Sequence, residues 1–329
     1  MWFEKLTGFP EENPENVRKK LLIDGESFIS TVNGRKLAFG KLEISTLEQL
    51  RQNNSSIENF KDKIQVSEIV ANVQDLHCRI ENTNALFQAA SQFNLLEMVG
   101  PHVTPEQGID GYERDYTQGP ACAIACGAGT IYRNYFVKTG DQFGQTFDNQ
   151  IDCLELIGEA LENDKLALWS MKNGYALLNY NGLLTINKKL AGLTDHQREQ
   201  LKGKLKVGIQ WNTEVTISSG HHRVSQIYCS ALPVAYSQIE SSYWEDFSKV
   251  ILEATYEASL HAAVINMKKY NSNSVFLTLV GGGAFGNEEY WILESLQKAI
   301  RKFKNVPLDV RVVSYGQSNP NLKRCLNEI

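Results

Sequence analysis

The 329-residue chain lacks several features that would assign it to a common class. It has no apolar run approaching the roughly 18–20 residues that cross a bilayer, and no signal-peptide segment at its N-terminus. It has no polybasic stripe, and its formal net charge of −5 argues against nucleic acid as a partner. Its six cysteines form no Cys-x-x-Cys pair, and no ligand cluster has metal-binding spacing. We therefore expect a cytoplasmic protein with no membrane or nucleic-acid partner, no metal and no cofactor.

The order of elements indicates an α/β fold. No linker or internal repeat is evident, and from residue 84 onward short apolar runs alternate with longer helical patterns. Strands are predicted at 93–98, 206–209, 224–229, 274–280 and 308–314. Helices are predicted at 119–128, 151–161, 243–267 and 288–296, and a tight hairpin at 172–175. Strands separated by long helices imply a largely parallel sheet covered on both faces, a three-layer α/β/α sandwich.

The N-terminal residues give weaker signals. Asn13 before Pro14 is typical of a helix start, and the pattern Ser-Thr-Leu-Glu at 45–48 is typical of another. We expect residues 1–70 to form a helical extension packed on the core, and residues 71–329 to form the main domain.

The most informative segment is a glycine-rich loop at 281–287, between the strand predicted at 274–280 and the helix predicted at 288–296. Glycines let backbone N–H groups converge, and a helix N-terminus adds partial positive charge, so a phosphate is the expected ligand. The alternative is a tight strand-to-helix turn. The loop has no following Gly-Lys-Ser/Thr and is not a Walker A loop. Its members are Gly281, Gly282, Gly283, Ala284, Phe285, Gly286 and Asn287, of which Asn287 is the expected N-cap.

An acidic loop at 103–120 is the second candidate site. Loops of about twenty residues without regular structure are uncommon in compact domains unless they bind or catalyse. The alternative is a solvated surface loop. Its carboxylates and amides are Glu106, Gln107, Asp110, Glu113, Asp115 and Gln118.

Asn94 and Glu97 interrupt the otherwise apolar stretch 93–99. Because a buried amide or carboxylate without a partner is costly, these two residues need an explanation. Either they lie at the exposed end of a strand, or they line the same site as the glycine loop.

Together these segments resemble the macrodomain superfamily, whose members bind or hydrolyse ADP-ribose. The loop 281–287 is similar to the Gly-x-Gly-x-Phe-Gly loop that poly(ADP-ribose) glycohydrolases place on the ADP-ribose phosphates. The acidic loop is similar in position to their first catalytic loop. However, the Gly-Gly-Gly…Gln-Glu-Glu signature is absent, and Thr-Gln-Gly-Pro at 117–120 stands where its glutamates would be.

The resemblance is closer to the MavL-type ADP-ribosyl-ubiquitin hydrolases, which rely on aspartates, and it covers residues 84–316. It implies a macrodomain-type fold and a hydrolase that removes ADP-ribose from arginine of a modified protein, with ubiquitin as the expected partner. The alternatives are a non-catalytic ADP-ribose reader and a hydrolase of a free ADP-ribose derivative.

The resemblance also implies roles for individual residues. The expected catalytic carboxylates are Asp110 and Asp115, with Glu106 in reserve. Tyr236 and Tyr315 are candidates for stacking on adenine or ribose, although tyrosines at strand ends are more often simple core edges. The remaining expected ligand-binding residues are Asn94, Gln107, Gln118 and the loop 281–287.

Overall fold

The structure is a computed structural model that describes residues 1–55, 57 and 60–328. Its α-helices are α1 (Trp2–Thr7), α2 (Pro14–Lys20), α3 (Leu47–Asn53), α4 (Val73–Cys78), α5 (Gln118–Ala125), α6 (Gly127–Tyr135), α7 (Glu155–Ala160), α8 (Tyr180–Ala191), α9 (Asp195–Gly203), α10 (Glu245–Tyr270), α11 (Glu289–Lys302) and α12 (Pro320–Asn327). Its strands are β1 (Leu21–Asp24), β2 (Ser27–Ser30), β3 (Lys36–Ala38), β4 (Lys41–Thr46), β5 (Gln65–Val70), β6 (Leu86–Ala90), β7 (Lys138–Thr139), β8 (Gln142–Phe143), β9 (Trp169–Lys172), β10 (Tyr175–Leu178), β11 (Lys206–Glu214), β12 (Arg223–Cys229), β13 (Ser274–Leu277) and β14 (Asp309–Ser314).

Seven strands form the central sheet, in the order β4-β11-β12-β6-β13-β14-β5. The pairs from β12 through β6, β13 and β14 to β5 are parallel, whereas β4–β11 and β11–β12 are antiparallel. The sheet is therefore mixed and largely parallel, as the sequence predicts. The small antiparallel units are β1-β2-β3, β9-β10 and β7-β8.

Helices cover both faces of this sheet. On β12, the Gln226 side chain donates to the carbonyl of Cys122 in α5 (2.9 Å). On the same strand Cys229 lies against Ser259 of α10, with Sγ 3.6 Å from Oγ. Side chains an odd number of positions apart on a strand point to opposite faces, so α5 and α10 lie on opposite sides. The predicted three-layer α/β/α arrangement is confirmed.

The parallel strands bring three loops to one edge of the sheet. The strands β6, β12 and β13 are neighbours and run in the same direction. The segments that follow them, 91–117, 230–244 and 278–288, therefore leave the sheet at the same edge. In open α/β sheets this carboxyl edge is where ligands bind.

Residues 1–70 contribute strands as well as helices. The strands β1 to β3 form a small antiparallel sheet, and β4 and β5 form the two opposite edges of the central sheet. Trp2, Phe3 and Leu6 of α1 belong to a second hydrophobic cluster that also contains Ile109 and Tyr112 of the acidic loop. The start of the chain therefore packs against the loop that carries the predicted catalytic residues.

The prediction of a strand at 93–98 is wrong. The strand is Leu86–Ala90, and the following segment folds back on itself. Leu95 has a left-handed backbone (φ 65°), and the amide of Gln92 donates to the carbonyl of Leu96 (2.8 Å). The side chain of Leu95 packs against Gly208 of β11, where a Cβ would lie 2.3 Å from Leu95 Cδ1. This tertiary packing outweighs the local strand pattern.

Three helix boundaries also differ from the prediction. The helix expected at 119–128 is two helices, because Thr216 bonds to the backbone of both Ala125 and Gly127 and divides α5 from α6. The helix expected from residue 151 begins later, at Glu155. Asn287 is not the N-cap of α11. That position is Glu288, while the Asn287 side chain donates to the carbonyl of Leu232 (2.8 Å).

Candidate functional site

A cleft lies at the carboxyl edge of the sheet, where the three loops meet, and the space within it, counted out to open solvent, is about 740 Å³. The cleft is lined by Ala90, Ser91, Gln92, Glu97, Met98, Val99, Asp115, Thr117, Gln118, Gly119, Pro120, Tyr175, Ala231, Tyr236, Thr278, Leu279, Val280, Gly281, Gly283, Ala284 and Phe285. The glycine loop and the end of the acidic loop therefore line the same cleft.

The glycine loop is closed at its base by contacts that only glycine permits. Gly281 has φ 82°, and a Cβ there would lie 2.5 Å from the Cβ of Ala231. The amide of Asn287 donates to the carbonyl of Gly281 (2.9 Å), which joins the two ends of the loop. Gly286 has φ 67°, and a Cβ there would lie 2.7 Å from the Cβ of Ala235. These glycines allow the tight turn and the close approach to the segment after β12.

The tip of this loop has backbone N–H groups without an acceptor among the described residues. Within the described part of the chain, the N–H groups of Gly283, Ala284 and Phe285 donate to no other group. All three residues line the cleft, and a Cβ on Gly283 would meet nothing within 4 Å. Successive backbone N–H groups turned toward one space form an anion-binding concavity. Gly282, also in the loop, does not line the cleft.

An aromatic wall adjoins the loop. The ring of Tyr236 lies 5.1 Å from that of Tyr175 and 5.8 Å from that of Phe285, and Tyr236 remains 38% exposed. The hydroxyl of Tyr175 donates to the carbonyl of Met98 (2.7 Å), and burial raises the pKa of Tyr175 well above its usual value. Tyr315 is 79% exposed and does not line the cleft.

Two predicted residues of the acidic loop line the cleft. Asp115 is half-buried there, and one of its carboxylate oxygens accepts from the amide of Thr117 (2.9 Å). The Gln118 side chain accepts from the amide of Ala90 (2.9 Å) and donates to the carbonyl of Gln88 (2.8 Å). Gln118 thus fastens the start of α5 to the end of β6, which holds Asp115 at the edge of the sheet.

The other predicted polar residues lie outside the cleft, each with a partner. Asp110 accepts from the amide of Phe3 (3.3 Å), and burial raises the pKa of Asp110. Glu106 accepts from the amide of Phe147 (2.9 Å). Gln107 accepts from the amide of Thr104 (2.9 Å), which completes a capping box.

Asn94 and Glu97, the two polar residues of the segment 93–99, differ in position, because only Glu97 lines the cleft. Asn94 is buried away from the cleft, donates to Gln150 (2.8 Å) and accepts from the amide of Leu96 (3.1 Å). Glu97 lines the cleft floor and is only 2% exposed. Burial raises the pKa of Glu97 to about 8, although Arg133 and Tyr112 act in the opposite direction.

Sequence reasoning missed Tyr175 and Arg133. Arg133 is buried in α6, and its guanidinium lies 3.5 Å from the ring centroid of Tyr228. Its Nη2 lies 3.5 Å from a carboxylate oxygen of Glu97. Tyr175 belongs to the hairpin that the sequence predicts, so the sequence could place it next to a strand. The sequence could not show that Tyr175 packs against Tyr236 and bonds to Met98.

No group of three or more His, Cys, Asp and Glu side chains in the described part of the chain could hold a metal ion. No helix there is long and apolar enough to cross a membrane.

Comparisons with known proteins gave structural similarities only. No family model and no curated protein matches the chain. A poly(ADP-ribose) glycohydrolase from Deinococcus radiodurans in complex with ADP-ribose is similar in structure, with a TM-score of 0.45 at 9% identity, over 88% of this chain and 94% of that one. The glycohydrolase from Thermomonospora curvata has a TM-score of 0.43 at 11% identity, over 94% and 93% of the two chains. At such low scores and identities, these similarities do not establish a shared activity.

Proposed function

We propose that this protein is an ADP-ribosylhydrolase that removes ADP-ribose from an arginine of a modified protein, with ubiquitin as the expected substrate. The observation that carries the proposal is one cleft that combines three unpaired backbone donors at 283–285, an aromatic wall and the carboxylate of Asp115. The likeness of the loop 281–287 to macrodomain phosphate loops supports ADP-ribose as the ligand. The choice of arginine and ubiquitin is supported only by the resemblance to the MavL-type hydrolases.

The cleft suggests how ADP-ribose would bind. The diphosphate lies against the N–H groups of Gly283, Ala284 and Phe285, since these donors suit an anion. An aromatic face such as that of Tyr236 is a suitable platform for adenine or ribose. This arrangement leaves the distal ribose near Asp115.

Asp115 can then act on the bond between C1″ of the ribose and the guanidine nitrogen. As this bond breaks, positive charge develops on the ribose, and a carboxylate stabilises it. Water adds its oxygen to C1″ and gives a proton to Asp115, while the guanidine nitrogen keeps the electron pair of the broken bond. Asp110 and Glu106 stay predicted catalytic residues, and their positions outside the cleft favour Asp115 over both.

A non-catalytic ADP-ribose reader is the second candidate. It is favoured by the finding that only one of the three predicted catalytic carboxylates lines the cleft. A reader would bind ADP-ribose through the same glycine loop and release none from a modified protein.

The test is the release of free ADP-ribose from arginine-modified ubiquitin, together with calorimetric binding of ADP-ribose. For Asp115→Asn we expect a rate loss of at least about 100-fold, or about 2.7 kcal/mol, with binding retained. Asp110→Asn and Glu106→Gln are the matched variants from the same loop, and a comparable loss in either would move the catalytic role to that residue. Binding without release by the wild type would establish the reader, and release only from a free ADP-ribose derivative would establish the third alternative.

A further inference from the structure

Glu97 is a carboxyl group at the cleft floor whose oxygens have no hydrogen-bond partner among the described residues. Its backbone N–H donates to the hydroxyl of Tyr112 (2.9 Å), which fixes the main chain. Neither of its side-chain oxygens makes a hydrogen bond to any described residue, although the side chain is almost fully buried. Leaving a buried polar group unpaired costs about 1–3 kcal/mol. A group of this kind at the floor of a cleft is suited to a partner supplied by a ligand.

Arg133 lies within ion-pair distance of Glu97 but makes no hydrogen bond to its carboxyl group. Its Nη2 is 3.5 Å from Glu97, without the alignment of a hydrogen bond. Instead, its Nε donates to the carbonyl of Leu95 (3.0 Å), its Nη2 donates to Thr130 (3.1 Å), and its guanidinium stacks on Tyr228. These contacts keep Arg133 in place beside Glu97, although its Nη1 has no hydrogen-bond partner among the described residues.

The position of Glu97 is restricted by the start of α5. A Cβ on Gly119 would lie 2.0 Å from the carbonyl oxygen of Ala90 and 3.3 Å from Cγ of Glu97. The backbone of α5 thus packs closely on the Glu97 side chain. This packing limits the rotamers of Glu97 and holds its carboxyl group at the cleft.

The surroundings of Glu97 favour its protonated form. Burial dominates and raises its pKa to about 8, which favours the protonated carboxyl group near neutral pH, although Arg133 and Tyr112 act in the opposite direction. The titratable and charged groups around it are Arg133 of α6, Tyr112 of the acidic loop, Cys122 of α5, Tyr228 of β12 and, in the same cleft, Asp115.

Glu97 and Asp115 line the same cleft in different environments, one enclosed and the other half-exposed. When two carboxyl groups in one site have different environments, their pKa values differ, and one can act as an acid while the other acts as a base. We propose that Glu97 is the catalytic acid of this site and donates its proton to the leaving atom of the substrate. This inference rests on the proposed hydrolase function.

In an arginine-linked substrate the guanidinium group carries a positive charge. The C1″–N bond breaks, its electron pair stays on the nitrogen, and the neutral guanidine so formed takes the proton of Glu97. The oxygen of water bonds to C1″ and its proton goes to Asp115. The products are ADP-ribose and a protonated arginine, and solvent returns the proton from Asp115 to Glu97. No oxidant, reductant or other reactant is required.

The test compares two leaving groups in the variant Glu97→Gln, which keeps the size of the side chain and removes the proton. Arginine-linked ADP-ribose needs a proton on its leaving nitrogen, whereas ADP-ribose carrying 4-nitrophenoxide at C1″ does not. We expect the variant to lose at least about 100-fold in kcat/KM on the first substrate and to stay within about threefold of wild type on the second. Asp115→Asn, the matched control, should lose activity on both. The wild-type rate on the arginine substrate should also fall above pH 8, and this fall should be absent from the variant.

Other results would overturn either this inference or the proposed function. Wild-type rates in Glu97→Gln, or equal losses on both substrates, would overturn the inference while leaving the proposed function intact. Wild-type protein that releases ADP-ribose from neither substrate would overturn the proposed function itself, and the inference with it. If the variant does not fold, infrared titration of the wild type decides. The carbonyl stretch of a protonated carboxyl should disappear with a midpoint near pH 8, and its absence at pH 7 would refute the proton donor.

Discussion

We expect the substitution Gly283→Glu to weaken ADP-ribose binding without affecting the folding of the protein. Gly283 lies at the tip of the glycine loop, its φ is outside the left-handed region, and a Cβ there would meet nothing within 4 Å. A glutamate can therefore be accommodated without backbone strain or displacement of a neighbour. Substitutions at such positions change the free energy of unfolding by about 0.5 kcal/mol or less.

The effect on binding should be much larger than the effect on folding. The proposed ligand position places two negatively charged phosphates beside residues 283–285. Two unit charges about 5 Å apart repel by roughly 1–3 kcal/mol when the effective dielectric constant is between about 80 and 20. Two phosphates therefore weaken binding by at least about 2 kcal/mol, which raises the Kd for ADP-ribose about 30-fold or more.

Calorimetric titration with ADP-ribose measures this change, and thermal unfolding verifies the fold. Gly283→Gln is the matched control, because it adds the same bulk without charge and should weaken binding less. The difference between the two variants should shrink in about 1 M salt, where charges are screened within about 3 Å.

Unchanged affinity in a folded Gly283→Glu variant would refute the assignment of this loop to phosphate. Equal losses in the Glu and Gln variants would attribute the effect to bulk rather than to charge.

Three further predictions follow from other parts of the molecule. Glu257 pairs with Arg51 (2.7 Å) and Lys302 (2.6 Å) and lies beside His261 (3.8 Å). Burial alone would raise the pKa of Glu257, but His261, Arg51 and Lys302 hold it well below the usual 4.5. Glu257→Gln should therefore lower the free energy of unfolding by on the order of 2 kcal/mol at neutral pH, and the wild-type advantage should shrink as the pH falls below 4.5 in urea denaturation series. Glu11 accepts from the amides of Ile109 (2.9 Å) and Asp110 (2.7 Å), so Glu11→Gln should cost about 1–2 kcal/mol and speed hydrogen exchange in the acidic loop. EDTA should leave the hydrolysis rate unchanged, and a rate lost with EDTA and restored by Zn²⁺ or Mg²⁺ would show a metal site.

Much of the fold could be predicted because its signals are local. The helix α9 starts at a capping box formed by Thr194 and Gln197, both within one turn. The hairpin at 172–175 has positive φ at Asn173 and Gly174, as its Asn-Gly pair predicts. Such patterns need no knowledge of distant residues, and the alternation of strands and helices then leads to a layered α/β fold.

The details of the site depend on contacts between distant parts of the chain. Asp110 and Glu106 look like free carboxylates in the sequence, yet their partners are the amides of Phe3 and Phe147, far from them along the chain. Glu97 could be singled out as a polar interruption, but Arg133, which lies beside it, belongs to a different element. A sequence pattern shows that a polar residue needs a partner and does not show which residue supplies it.

The order of strands has a consequence for how the chain folds. The strands β4 and β5 are close in sequence but lie at opposite edges of the central sheet. During synthesis, β5 has no neighbour until β14, near the other end of the chain, is made. Pairings between such distant segments make folding slow, because much of the chain must be ordered before they form. A nascent chain that stops before β14 would leave β5 and β13 as open strand edges, which are prone to aggregation.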